Sequence, residues 1–274
     1  MTQWKLTLSY DGTSFHGWQV QPGLRTIQGT LAHAIAAVTG ETVLPQGSGR
    51  TDAGVHALAQ VTSFALQSPI PPRNLVRALN SFLPSSIRVL AAEPVPENFH
   101  ARHSAIRKTY EYRIFERYPS PHTFTNLDGP DGRICPVFLA PTVWDCRWKL
   151  DFDRLHATAA RLIGEHDFAA FAASDPDRST REDASGHPPS TIRTVFTSEW
   201  WRTDETLFYL VSGNGFLHHM VRNLVGTMVD LNRNNLPPIA IDAILASRDR
   251  TQAGPTAPAQ GLFLVSVEYP EVTP

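Results

Sequence analysis

Apolar and polar residues alternate from Trp4 through Leu6 and Leu8 to Tyr10, and the alternation stops at Asp11-Gly12. A period of two puts one row of side chains on the buried face of a sheet, so this stretch predicts a half-buried strand ending in a turn. Ile27, Leu31, Ala34, Ile35 and Val38 then recur at the spacing of one helix face, and Gly40 stands where a C-terminal cap is expected. A short strand through Val43 leads into a glycine-rich loop, and Gln60 to Leu66 reads as the strand that leaves it. A helix from Pro72 to Phe82 and a strand from Ile87 to Glu93 complete this unit.

The second half repeats the order loosely: a strand from Lys108 to Phe115, a helix from Phe152 to Ile163, strands from Thr191 to Trp200 and Thr206 to Ser212, a helix from Phe216 to Leu231, and a strand from Leu262 to Tyr269. Two similar halves, 1–105 and 106–274, predict an α+β protein in which pseudo-repeated α/β halves fuse into one mixed, mainly antiparallel sheet flanked by helices. Two inserts break the pattern, 117–149 and 173–190. The second holds Ser, Asp, Arg, Gly and Pro with almost no apolar residue and reads as a mobile loop.

Length and composition change this picture little. The 274 residues, 42% of them hydrophobic, suffice for a sizeable core in one large domain or two fused halves. No apolar run approaches the roughly 20 residues of a membrane span, and the chain enters its first strand without a signal-peptide core, so the cytoplasm is the expected compartment. Cys135 and Cys146 lack metal-binding spacing and read as buried or surface thiols. The net charge of −2 speaks mildly against a polyanionic partner. Yet only Lys5, Lys108 and Lys149 are lysines among 24 basic residues, and Arg102, Arg107, Lys108, Arg113 and Arg117 gather around one strand, while Asp175, Asp177, Glu182 and Asp183 crowd one loop. Arginine favours bidentate phosphate contacts and stacking.

The chemistry concentrates in Gly47-Ser48-Gly49-Arg50-Thr51-Asp52-Ala53-Gly54-Val55-His56-Ala57. Glycines that admit positive φ and close backbone approach can hold Asp52 at the floor of a cleft; equally, an acid in such a loop can cap the segment that follows. A phosphate-cradling loop is disfavoured, because the lysine of one glycine-rich phosphate motif and the third glycine of the other are missing. Arg222 falls on a helix carrying Leu217, Met220, Val221, Leu224 and Val225, where a charge is expensive unless paired, or else lies on the surface with its stem along the core. Tyr110 and Tyr112 alternate with Thr109, Glu111 and Arg113 and share one face of a strand, which usually means core. His56, His100 and His103 lack ligand spacing, and neither a metal nor a cofactor is expected.

The glycine-rich run resembles the active-site motif of TruA-type tRNA pseudouridine synthases, in which the aspartate is the catalytic residue. Further blocks match the family in order: Tyr10-Asp11-Gly12-Thr13, Gly17-Trp18-Gln19 and Arg25-Thr26-Ile27-Gln28-Gly29, then Leu79-Asn80 with Leu83-Pro84, Phe99-His100-Ala101-Arg102, Ser104-Ala105 and Tyr110-x-Tyr112. Gly164-x-His166-Asp167-Phe168, Met220-Val221-Arg222-Asn223 and Ala253-Gly254-Pro255-Thr256-Ala257-Pro258 follow. The inserts match none of them.

The resemblance implies the pseudouridine synthase fold with a central active-site cleft between the halves, and isomerisation of uridine to pseudouridine in the anticodon stem-loop of tRNA, at tRNA positions 38 to 40, by a homodimer without cofactor. Asp52 would be the nucleophile, Arg222 its charge partner, and Tyr110 the ring against the target uracil. Arg50 would take the wedge role in flipping the uridine, Arg102 would bind backbone phosphate, and Leu262 would line the base pocket. Three other readings stand beside this one: a pseudouridine synthase acting on another RNA, a hydrolase using Asp52 as nucleophile, and a non-catalytic tRNA-binding protein.

Overall fold

The computed structural model describes residues 1–118, 128–129, 132–174, 190–203 and 205–270. Its strands are β1 (Thr2–Tyr10), β2 (Gln46–Gly47), β3 (His56–Leu66), β4 (Ile87–Val95), β5 (Arg107–Glu116), β6 (Asp128–Gly129), β7 (Gly132–Arg133), β8 (Trp144–Cys146), β9 (Gly164–Asp167), β10 (Ile192–Arg202), β11 (Thr206–Gly213) and β12 (Leu262–Glu268). The α-helices are α1 (Ile27–Thr39), α2 (Pro72–Phe82), α3 (Phe152–Ala160), α4 (Met220–Arg233) and α5 (Ala240–Ser247). This is a mixed α/β protein: ten strands in mixed, mainly antiparallel sheet with flanking helices, and β6–β7 as a small separate pair. Among the described residues no helix is long and apolar enough to cross a membrane.

The chain divides into two compact units, Met1–Thr109 with Phe263–Pro274, and Tyr110–Leu262. In the first, the strand order is β4-β1-β3-β12. β1 is antiparallel to both β3 and β4, β12 runs parallel to β3, and β2 adds to β3 with Gln46 opposite Ser63. The alternation read in β1 is real, with Trp4, Leu6, Leu8 and Tyr10 all buried. α1 starts on the Thr26 hydroxyl, which accepts from the Gly29 N–H, and ends on Gly40 at φ 75°. α2 packs on β4. Asn80 fastens the two, its Nδ2 donating to the Val89 carbonyl and its Oδ1 accepting from the Val89 N–H, at 2.9 and 2.8 Å.

In the second unit, the order is β5-β11-β10-β9, and β8 lies parallel beside β5. α3 packs on β10 and against α4, and α5 packs against α4 and on β9.

Four expectations are corrected. There is no strand at Val43: Pro45, which has no N–H to give to a ladder, stands there, and pairing begins only at Gln46. β3 starts at His56, four residues before the expected Gln60, because His56 to Ala59 run as one polar residue and three apolar ones, with no period of two to read. α4 begins at Met220 and not at Phe216, since His219 takes a left-handed φ of 59° that interrupts any helix entering from Phe216. β9 and α5 were not anticipated; each is short, and Pro237-Pro238 obscures the entry to α5. The acidic stretch from Asp175 to Asp183 and most of the loop expected at 173–190 lie outside the described residues, as do 119–127 of the first insert.

Candidate active site

Asp52 sits in the loop that joins β2 to β3, half-buried, between a buried Thr51 and an exposed Ala53. Its carbonyl accepts the Val55 N–H at 3.1 Å across a tight turn in which Gly54 has φ 80°. Gly54 therefore supplies the positive φ expected of this loop. Gly47 serves differently: it has no positive φ, and a Cβ there would stand 2.6 Å from the Trp18 indole. The requirement is close approach.

The N-terminal blocks acquire their physical meaning here. Gly12 lies so near the loop that a Cβ would fall 2.0 Å from the Val55 carbonyl oxygen, and one on Gly17, at φ 82°, would fall 2.7 Å from that of Thr51. The Trp18 N–H donates to the Thr51 carbonyl at 2.9 Å, and the Tyr10 hydroxyl bonds the Thr51 hydroxyl at 2.9 Å. Sequence reasoning missed the partners of this loop: Tyr10, Gln60, which is fully buried, and Lys108, whose Nζ donates to the Ser48 carbonyl at 2.6 Å. Gln60 gave little signal in the sequence, because His56, Thr62 and Ser63 are further polar residues of the same strand.

His56 is a core residue. Its ring stacks on Phe263 at 4.6 Å, the Gly12 N–H donates to its Nδ1 at 3.2 Å, and Asp11 Oδ1 stands 3.2 Å from the same nitrogen. Partial burial works against the Asp11 carboxylate, but hydrogen bonds from the Thr13 hydroxyl and N–H outweigh it and hold the group below the usual carboxyl range. His100 is also structural. Its Nδ1 accepts the Arg102 N–H at 3.1 Å, and burial, followed by the charges of His103 and Arg102, lowers its pKa.

Arg50 and Arg102 are both exposed. The turn carrying Arg102 is anchored on either side of Ala101, whose N–H donates to Ser63 Oγ on β3 at 3.0 Å and whose carbonyl accepts the Tyr269 hydroxyl at 2.7 Å. The basic cluster around β5 is partly neutralised within each unit: Arg107 faces Glu268 at 3.8 Å, Arg113 pairs with Glu111 at 2.7 Å, and Arg117 pairs with Asp145 through two bonds of 2.7 Å. Its clustering thus reflects internal pairing as well as any external anion.

In the second unit, Tyr110 lies near the start of β5, buried, with its ring edge-to-face against Phe216 at 5.1 Å. Phe216 was expected to open a helix; it sits instead in the loop before α4. Tyr112 is core, as its spacing suggested. Its hydroxyl donates to the Pro258 carbonyl at 2.7 Å, and burial pushes that hydroxyl well above its ordinary pKa although the Arg222 charge pulls the other way. Gly261 lies against the same ring, where a Cβ would come within 2.7 Å, and Leu262 follows it, buried, at the start of β12.

Arg222 occupies the first turn of α4, half-buried. Its Nε–H donates to the Ala257 carbonyl at 2.8 Å, while its own carbonyl accepts the Ala257 N–H at 3.1 Å. Around it Asn223 accepts from the Thr256 hydroxyl at 2.6 Å and from Arg250 at 3.1 Å and donates to the Phe171 carbonyl at 2.7 Å. The blocks at 220–223 and 253–258 are two sides of one hydrogen-bonded seam that fixes the plane of the Arg222 guanidinium.

Asp52 is held on a tied loop of the first unit, while Tyr110 on β5 and Arg222 on α4 belong to the second. A family model described as tRNA pseudouridine synthase matches residues 7–104 and 158–270, and the chain belongs to that family, which makes it a pseudouridine synthase, an isomerase. It is 46% identical over 269 residues to the tRNA pseudouridine synthase A of Solibacter usitatus, covering 98% of this chain and 100% of the relative. The proteins of the same name from Moorella thermoacetica and Bacillus pumilus are 42% and 40% identical, each over 97% of this chain and 98% of the relative. The family match leaves out 105–157, the stretch that holds Tyr110 and Tyr112.

Proposed function

We propose that this protein converts uridine to pseudouridine in the anticodon stem-loop of tRNA, at tRNA positions 38 to 40, with Asp52 as nucleophile. The reaction breaks the carbon–nitrogen glycosidic bond, turns the detached uracil and joins its C5 to the sugar, with no net change in oxidation state. A carboxylate that attacks, a flat group that holds the ring and a site that excludes water meet its needs. Asp52 supplies the first, and Arg222 is the cation that keeps it ionised against desolvation. Tyr110 packs against the target uracil, and Leu262 lines the base pocket. Arg50 enters the stem as the uridine leaves it, and Arg102 binds backbone phosphate. The working form is a homodimer, which sedimentation of the purified protein checks.

The observation that carries this reading is the loop itself. Its backbone is tied at Ser48, Gly49, Thr51 and Asp52, while the Asp52 side chain is half-buried and not sealed in the core. An acid that merely capped the next segment would need no such frame. The test is to map pseudouridine in tRNA from cells lacking this protein and to complement them with wild type or Asp52→Asn. Wild type is expected to restore pseudouridine in the anticodon stem-loop; Asp52→Asn is expected to restore none while still binding tRNA. Pseudouridine lost from another RNA would move the substrate, and turnover by Asp52→Asn would remove Asp52 from the chemistry.

A further inference from the structure

Gln60 is fully buried in the middle of β3, yet neither end of its amide contributes to an apolar core. Its Nε2 donates to the Gly49 carbonyl at 2.9 Å, its Oε1 accepts the Ser48 hydroxyl at 2.6 Å, and the same Nε2 lies 3.5 Å from the Tyr10 hydroxyl. Tyr10 in turn bonds the Thr51 hydroxyl at 2.9 Å. One glutamine and one tyrosine thus hold the chain on both sides of Arg50, at Gly49 and at Thr51, immediately before Asp52. A leucine at position 60 would fill the strand interior as well, but would leave the buried Ser48 hydroxyl and the Gly49 carbonyl without these partners.

We propose that Gln60 and Tyr10 are positioning residues for the nucleophile: they fix the Gly49–Thr51 backbone and thereby the attack position of the Asp52 carboxylate. The proposal rests on Asp52 being the nucleophile. Freeing either tie loosens the Gly49–Thr51 segment, which keeps the Trp18 N–H on the Thr51 carbonyl, and that play displaces the Asp52 side chain without removing it. Misplacement of about 1 Å at a reacting group costs on the order of 10²-fold in rate. Burial pushes the Tyr10 hydroxyl up to about 12, so it stays protonated and able to donate throughout the neutral range. The device acts on geometry and not on charge, and it leaves the exposed arginines that would meet RNA untouched.

The test uses the full-length protein and tRNA carrying tritium at C5 of uridine, whose release reports the new carbon–carbon bond under single-turnover conditions. Gln60→Leu is expected to lower the rate constant by about 10²-fold and Tyr10→Phe by about tenfold, both with tRNA affinity within about twofold of wild type. Because both act on one short segment, the double variant should lose less than the product of the two. Leu245→Ala in α5 serves as the control for a general loss of stability. Rate losses no larger than those of a control with the same drop in Tm, or losses carried in tRNA affinity, would overturn the proposal. If Gln60→Leu does not fold, Tyr10→Phe decides alone, since it removes a single hydroxyl. Asp52→Asn separates the two levels: turnover by that variant sinks the nucleophile assignment, whereas an inactive Asp52→Asn beside fully active Gln60→Leu and Tyr10→Phe sinks the positioning role only.

Discussion

Arg50 shows how a single residue's role follows from its neighbours. The chain is tied at Gly49 and Thr51, yet the Arg50 side chain is exposed. A long cationic side chain on a fixed base suits insertion into a stem, where unstacking a uridine costs a few kcal/mol. Arg50→Ala should therefore lose much more activity on an intact stem than on a stem-loop whose target uridine is already unpaired. A phosphate anchor would lose equally on both and would lower the salt dependence of binding by about one counterion. Measuring turnover on the two substrates decides between them.

At the scale of elements, the decisive contact is the seam between α4 and the segment at 253–258. Gly226 lies one turn beyond Arg222, and a Cβ there would fall 1.7 Å from the Pro255 carbonyl oxygen. Gly254 donates its N–H to the Thr227 hydroxyl at 2.9 Å in the same seam. Gly226→Ala should force the two apart at a cost of about 1–3 kcal/mol, read as a lower midpoint of denaturation. Activity should fall further than stability, because the Ala257 carbonyl that orients the Arg222 Nε–H moves away with the seam. An unchanged melting temperature would show that the segment yields freely. The glycine at this position is a packing requirement, although its neighbours read as motif.

For the whole molecule, the buried end of β5 predicts a pH response. Glu116 pairs with Arg202, whose Nη2 donates to Oε1 at 3.1 Å while the Nε lies 3.0 Å from Oε2. Burial raises its pKa, and the charges and hydrogen bonds of Arg202, then the charge of Arg133, only partly offset that. A carboxyl whose folded pKa lies above its unfolded one binds its proton more tightly in the native state. Its contribution to stability is then fully present below the unfolded pKa and is lost as pH rises through the folded one. Denaturant unfolding across that range should show wild type losing stability relative to Glu116→Gln as pH rises, and a difference that does not change with pH would exclude the titration of Glu116.

The sequence by itself determined the strands and helices whose burial is one-sided, because a single buried face leaves a period in the chain: β1 through Trp4, Leu6, Leu8 and Tyr10, and α1 through Ile27, Leu31 and Ile35, closed by Gly40. It also singled out the glycine-rich loop around Asp52, which only the resemblance separated from an ordinary capping turn, and the order of its motifs placed the chain in its family. It was silent where burial is two-sided or where the partner is distant in sequence. β3 hid its first four residues because His56 to Ala59 show no alternation of apolar and polar side chains. Gln60 looked like an ordinary polar residue until the fold set it against Gly49, and Arg222 until the fold set it against Ala257, 35 residues away. Only the tertiary structure decided that Gly12 and Gly17 are spacers for the Asp52 loop and that Arg107, Arg113 and Arg117 are matched by carboxylates. Close approach and charge pairing are properties of positions in space, and neither leaves a period along the chain.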